Sequence, residues 1–261
     1  MNTLQHKRVL LTGATGGIGR AMLGELTRAG AEVVITGRDA SALTELHATA
    51  PDKIRTFAAD LTDHAALQAL YQYCTTLGGL DVLINNAGIS QFSAEQQQDY
   101  AALIQTNLLA PMQLTQLLLP LIQQRRGSVL MVGSTFGSIG YAGFTGYCAS
   151  KFGLRGYTEA LRRELHNSDV KVLYLAPRAT KTAINSPAVD AMNKALGQGV
   201  DSPEQVAKAM LRQLERGSAR RYLGAAENVF IRLNGLFPAL VDSALGAKLK
   251  QIKQFFTTAN A

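Results

Sequence analysis

Tyr147 and Lys151 stand four residues apart in the run Gly146-Tyr147-Cys148-Ala149-Ser150-Lys151. On a helix that spacing puts both side chains on one face. A phenol titrates near about 10, too high for ready proton exchange at neutral pH, and a neighbouring ammonium favours the phenolate. The pair therefore predicts a proton donor and acceptor for carbonyl or alcohol chemistry, with Lys151 lowering the Tyr147 pKa. Taken alone, the same spacing also describes a solvated surface pair, so the reading depends on what else converges there. Cys148 has no base partner to make it a nucleophile and reads as helix packing.

The elements that must position this pair are legible as an alternation. Short, β-branched apolar runs occur at Arg8–Thr12, Glu32–Thr36, Ile54–Ala58, Val82–Asn85, Ser128–Gly133 and Lys171–Leu175, with a weaker one at Arg221–Leu223. Their nearly continuous hydrophobicity is that of strands buried on both faces. Segments of helical period lie between them. Ile18, Met22 and Leu26 recur at spacings of four, and Asp63–Leu77 opens with an acidic residue suited to a helix N-terminus. The alternation predicts an α/β fold: a doubly wound parallel sheet of about seven strands with helices on both faces. No internal repeat or low-complexity linker divides the 261 residues. A single domain over 1–261 is expected, with 225–261 a C-terminal extension. Ligands of such sheets bind beyond the carboxyl ends of the strands, and the polar and glycine-rich motifs fall there.

After the first strand comes Thr12-Gly13-Ala14-Thr15-Gly16-Gly17-Ile18-Gly19. Glycines allow a tight turn and close approach of backbone to a pyrophosphate resting on the following helix N-terminus. Asp60-Leu61 follows the third strand, Asn85-Asn86-Ala87-Gly88 the fourth, and Asn107 lies in the next long helix. Ser134 ends the fifth strand, 13 residues before Tyr147. With these motifs in this order over roughly residues 7 to 185, the chain resembles the short-chain dehydrogenases/reductases, in their compact single-domain branch. The resemblance implies a Rossmann-type fold and an oxidoreductase acting on CH–OH groups. It implies a dinucleotide held by Gly13, Thr15, Gly17, Ile18, Gly19, Asp60, Leu61, Asn86, Ala87 and Gly88, with Asp60 on the adenine. By the same resemblance Tyr147 is the general acid or base, Ser134 binds the substrate oxygen, Lys151 holds the nicotinamide ribose and Asn107 supports a water relay. Thr135 competes with Ser134 for its role, and the 13-residue interval favours Ser134.

Cofactor choice should be set after the second strand, in Ile35-Thr36-Gly37-Arg38. Gly37 stands where an NAD-selective site carries a carboxylate, and the Arg38 guanidinium suits a 2′-phosphate. NADP(H) is therefore expected over NAD(H), unless Asp39 pairs with Arg38. After the sixth strand the family's Pro-Gly-x-x-x-Thr becomes Pro177-Arg178-Ala179-Thr180-Lys181-Thr182. Pro177, Thr180 and Thr182 are expected near the nicotinamide carboxamide. Arg178 reads either as a solvent-facing loop residue or as a cleft residue meeting an anionic substrate or the pyrophosphate.

Composition bounds the rest. Cys74 and Cys148 form no CxxC, the four histidines are scattered, and the N-terminus has no signal-peptide pattern. A cytoplasmic protein without a metal site is expected. The net charge is +7, and the segment from Gln205 onward holds nine basic and three acidic residues. No nucleic-acid motif accompanies this basic tail, which reads first as a solvated basic face, with an anionic membrane surface or an acidic carrier as the other candidates. Val229–Pro238 is too short to span a membrane, leaving a lid, an oligomer face or peripheral contact with the inner face of a membrane. The family resemblance implies a homodimer or homotetramer. The leading reading is NADP(H)-dependent interconversion of a carbonyl and an alcohol on a small molecule, with a bulky, apolar substrate if the tail is a lid. The alternatives are a 3-oxoacyl thioester reductase on carrier-bound substrates and a catalytically idle NADP-binding sensor or scaffold.

Overall fold

The computed structural model describes residues 4–256. Seven strands form one parallel sheet: β1 (Arg8–Thr12), β2 (Glu32–Gly37), β3 (Ile54–Ala58), β4 (Val82–Asn85), β5 (Ser128–Val132), β6 (Lys171–Ala176) and β7 (Arg220–Tyr222). Their order is β3-β2-β1-β4-β5-β6-β7. The chain reverses its direction of travel across the sheet between β1 and β4, and that switch opens a crevice above their carboxyl ends.

Alternation along each strand builds two cores. On β1, Val9 and Leu11 join one apolar cluster while Leu10 joins the other. The first cluster is capped by α1 (Gly17–Arg28), α2 (Ala40–Ala48) and α8 (Pro203–Arg216), through Met22, Leu26, Leu43, Val206 and Met210. The second is capped by α3 (His64–Thr76), α5 (Ala110–Gln124) and α6 (Thr145–Glu164), through Leu67, Leu70, Leu114, Leu118 and Leu154. Each such leucine contributes roughly 1.5–3 kcal/mol by leaving water. A short α4 (Tyr100–Ile104) leads toward α5. α7 (Pro187–Ala195) follows β6, and α9 (Ala225–Leu236), α10 (Pro238–Gly246) and α11 (Leu249–Lys253) follow β7.

The seven predicted strands are all present, with ends shifted by a residue in places. β7 lies one residue upstream of expectation, because Arg220 and Tyr222 pair with Tyr174 and Ala176 of β6. The predicted Asp63–Leu77 helix loses both terminal residues: Asp63 is its N-cap, accepting from the Ala65 amide at 3.0 Å.

Candidate active site

The crevice floor begins with the glycine turn. Gly13 has φ +67°, a conformation that L side chains rarely adopt. A Cβ on Gly19 would be driven into the Gly13 carbonyl, so both positions need glycine for the turn to close. Gly16 caps α1 without a side-chain bond, which leaves the first amides of the helix free to meet an anion. The Thr182 methyl sits over Gly17, 2.8 Å from where a Cβ would stand. Turn, free helix amides and Thr182 together fit a bound pyrophosphate. Thr12, a residue not singled out from the sequence, and the expected Asn86 hold this arrangement. Buried Thr12 accepts from the Asn86 and Ala87 amides at 2.9 Å each, tying the turn to the end of β4. The Asn86 side chain donates to the Thr12 and Gly13 carbonyls at 3.0 and 3.1 Å.

At the far end of the crevice, Asp60 Oδ1 accepts from the Thr62 amide at 2.9 Å and its hydroxyl at 2.7 Å. These bonds, aided by the Arg38 charge, hold the exposed carboxyl below its usual range. Leu61 packs beside the second core. Asp39 does not pair with Arg38: it caps α2 by accepting from the Ala42 amide at 3.0 Å. Among the described residues Arg38 makes no ion pair.

The chemical half is carried by β5 and α6. Tyr147 and Lys151 do share one face of α6, and the Lys151 Nζ lies 5.8 Å from the Tyr147 ring centroid. Lys151 is buried and donates to the Val132 carbonyl at 3.0 Å. Ser134 follows β5 and accepts from the Phe136 amide at 3.1 Å, capping a single 3₁₀ turn, while its hydroxyl also bears on the Tyr147 phenol. Asn107 sits behind, in a wide turn of π-helix over Gln105–Leu109. Pro111 lacks the N–H that an α-helix would return to the Asn107 carbonyl, which favours that local widening. The Asn107 amide brackets Ile89, accepting from its N–H at 2.8 Å and donating to its carbonyl at 2.9 Å. It also donates to Ser150 at 3.1 Å, and Ser150 donates to the Tyr147 carbonyl at 2.7 Å. Gly88 stands between these groups: a Cβ there would lie 3.1 Å from Asn107 Oδ1 and 3.7 Å from Lys151 Nζ.

The expected acidification of Tyr147 is not what this structure holds. Burial pushes the phenol up to about 12, against a downward pull from the Ser134 hydroxyl. Burial likewise pushes Lys151 down to about 8. Loss of water disfavours both charged forms, and it outweighs an ammonium directed at a backbone carbonyl. Cys148 is raised to about 11 by burial and bonds the Ile139 carbonyl at 3.8 Å, which is packing as expected.

The Lys151 shift has a consequence for stability. Below about pH 8 the folded protein carries the full cost of a buried ammonium. As pH rises from 8 toward 10.5 the folded lysine is already neutral while the unfolded one still binds a proton, so stability increases. Lys151→Met should therefore raise the melting temperature of the cofactor-free protein at pH 7 and flatten its rise between pH 8 and 10. Calorimetry across that range checks this, and an unchanged slope would contradict it.

Above Tyr147 lies a cavity of about 450 Å³. Ile18, Asn86, Gly88, Ser134, Tyr147, Lys151, Pro177, Thr180 and Thr182 all reach it, whereas Thr15, Arg38, Asp60 and Leu61 do not and Asn107 supports it from behind. Its upper walls are apolar: Phe136, Ile139, Phe144, Met192, Leu196, Phe230 and Leu245. Phe136 stacks on Tyr141 with centroids 4.9 Å apart and meets Tyr147 edge-on at 6.4 Å. The aromatic run between Ser134 and Tyr147 was the available signal for this wall.

Arg178 lines the cavity and is engaged by carboxylates there; it is not a free loop residue. Its guanidinium binds Asp201 at 2.8 and 3.0 Å and Glu227 of α9 at 3.3 Å. Asp201 in turn runs parallel to Thr180, whose hydroxyl donates to the Arg178 carbonyl at 2.9 Å. Arg178 thus fastens the start of α9 to the segment after β6 that carries Thr180 and Thr182. Arg178→Ala should strand the buried Asp201 carboxylate and cost about 1–3 kcal/mol. Glu227→Ala should leave stability nearly unchanged and weaken KM for large apolar substrates. Denaturant melts beside KM measurements separate the two, and equal melts would refute the asymmetry.

The C-terminal segment contributes to the cavity wall. Ile252 of α11 is buried in an aromatic cluster with Phe92, Tyr141 and Phe144, and Ala226, Phe230, Leu245 and Lys248 reach the cavity. Among the described residues no helix is long and apolar enough to cross a membrane and no group of side chains is arranged to hold a metal ion.

Known proteins share this arrangement. A short-chain dehydrogenase from Streptomyces avermitilis superposes with a TM-score of 0.78 at 30% identity, over 96% of this chain and 97% of that one. Nodulation protein G of Rhizobium sp. (strain N33) is 31% identical over 88% of this chain and 94% of its own length. Human retinol dehydrogenase 16 is 33% identical over 71% of this chain, a stretch that spans 61% of the human protein. The 3-oxoacyl-(acyl-carrier-protein) reductase FabG of Haemophilus influenzae is 31% identical over 72% of this chain and 79% of its own. The family model described as short chain dehydrogenase matches residues 7–193, from the first strand through the Tyr147–Lys151 helix and beyond β6. The chain therefore belongs to the short-chain dehydrogenases, a family of oxidoreductases.

Proposed function

We propose that the protein interconverts a ketone or aldehyde and the corresponding alcohol with NADP(H), using Tyr147 as general acid in reduction and general base in oxidation. The observation that carries this reading is the convergence of Ser134, Tyr147 and Lys151 on the floor of one cavity, beside the glycine turn. Gly13 to Gly19 and the free amides of α1 would hold the pyrophosphate, Arg38 the 2′-phosphate, Asp60 the adenine, and Pro177, Thr180 and Thr182 the carboxamide. The bound nicotinamide supplies the hydride.

The chain's own part is orientation and a proton. The Ser134 hydroxyl steadies the substrate oxygen as negative charge develops there. Tyr147, protonated at neutral pH because burial holds it near 12, is a loaded donor. An alkoxide is more basic than a phenolate, so the transfer from Tyr147 runs downhill. Lys151 would hydrogen-bond the nicotinamide ribose and stabilise the phenolate left behind, and Asn107 would support the water relay that reprotonates it. The apolar walls suit a bulky substrate and exclude water around the reacting carbon.

A cytoplasmic homodimer is part of the proposal, pairing through α5 and α6, where Phe152 and the neighbouring Leu109 are exposed. NADPH consumption over a panel of aldehydes, apolar ketones, retinoids and 3-oxoacyl thioesters tests the reaction. Turnover of an apolar ketone supports it; tight NADPH binding with no turnover of any compound would make the protein a sensor instead.

A further inference from the structure

α9 has a second side. Its inward residues serve the cavity: Glu227 and Phe230 reach it, and Asn234 donates to the Ser138 carbonyl at 3.0 Å. Val229, Leu233 and Leu236 fall at spacings of four and three along the opposite side and are exposed. The apolar strip continues through Phe237 into Leu240 of α10, with Leu236 72%, Phe237 56% and Leu240 65% exposed. No residue of α9 is buried. One helix therefore stands between the apolar cavity and an apolar outer face. Scattered exposed leucines need no explanation, but a continuous strip marks a binding surface.

The strip is flanked by positive charge. Arg232 shares a concave surface with Arg221 of β7. Arg221 lies close enough to Arg212 and Arg216 of α8 for their charges to act on it. Among the described residues none of these four arginines forms an ion pair, whereas the neighbouring Arg220 is paired with Glu159. Lys248, Lys250 and Lys253, at the start of α11 and within it, are exposed as well. Of the segment's carboxylates, Glu227 is held by Arg178, leaving only Glu215 and Asp242. A second copy meeting this face across a two-fold axis would set the arginines against themselves, which disfavours that pairing. Anionic lipid headgroups would neutralise them while the acyl boundary receives the strip.

We propose that the α9–α10 face docks on an anionic lipid bilayer, and that the substrate is a lipophilic carbonyl compound or alcohol drawn from that bilayer past α9. The substrate half rests on the function proposed above; the docking half does not. The test is cosedimentation of the full chain with vesicles of phosphatidylcholine alone or mixed with phosphatidylglycerol. Binding should require phosphatidylglycerol, weaken with salt, and fall about fivefold for each of Arg212→Gln and Arg216→Gln. It should be abolished in the double variant Leu236→Asp/Leu240→Asp, which touches no cavity residue. Binding that ignores lipid charge or survives the double variant would overturn the docking. So would a wild-type oligomer that the double variant converts to monomer in sedimentation velocity, since a second copy would then own the face. With docking established, the double variant should slow reduction of a vesicle-borne ketone and leave that of a water-soluble one unchanged. Equal rates on both would overturn the substrate half alone. Absent turnover with vesicle binding intact would count against the proposed reaction and leave the docking supported.

Discussion

Tyr147→Phe is expected to lower kcat for carbonyl reduction by about 10²–10⁴-fold while NADPH affinity stays within about threefold. The substitution removes one hydroxyl and keeps the ring, so the edge contacts with Phe136 and Phe144 survive. What it deletes is the proton donor facing the cavity. The glycine turn, the α1 amides and Arg38 lie outside the change, which is why binding and turnover should separate. Fluorescence titration with NADPH beside steady-state rates gives both numbers. A variant with near-normal kcat would remove Tyr147 from the chemistry, and one that no longer binds NADPH would give it a positioning role instead.

Cofactor preference should invert when charge at the end of β2 is reversed. Arg38→Ala should cost NADPH about 10–100-fold in kcat/KM, the range for a charge-assisted bond to phosphate, and leave NADH nearly unaffected. Gly37→Asp should add repulsion against the 2′-phosphate and a ribose acceptor for NADH. No atom lies within 4 Å of a Cβ placed on Gly37, so the new side chain has room. Wild-type preference for NADH, or indifference between the cofactors, would defeat the assignment.

The sheet was legible because each strand is a short apolar run bounded by polar residues, and burial on both faces demands that pattern. Tyr147 and Lys151 were legible from helical spacing, and Ser134 from the resemblance of its 13-residue interval before Tyr147 to the family's pattern. Their electrostatics were not. Four-residue spacing says that Lys151 is near Tyr147, but the phenol's pKa depends on lost solvent, and part of that burial comes from distant segments such as those of Phe92 and Ile252. Arg178 escaped for the same reason: its partners Asp201 and Glu227 lie 23 and 49 residues away, and no local rule connects them. Thr12 and Ser150 were visible inside the motifs, but their use as hydrogen-bond ties depends on which strand lies beside which.

The central claim is that a half-buried phenol facing the cavity delivers the proton as hydride reaches a carbonyl carbon. Single-turnover reduction of an apolar ketone by saturating NADPH, followed in H₂O and D₂O and with cofactor deuterated at the transferred position, tests it most directly. The account predicts that both substitutions slow the wild-type burst, and that the solvent effect disappears from the residual rate of Tyr147→Phe. A wild-type burst indifferent to D₂O, or a Tyr147→Phe burst as fast as that of the wild type, would contradict it.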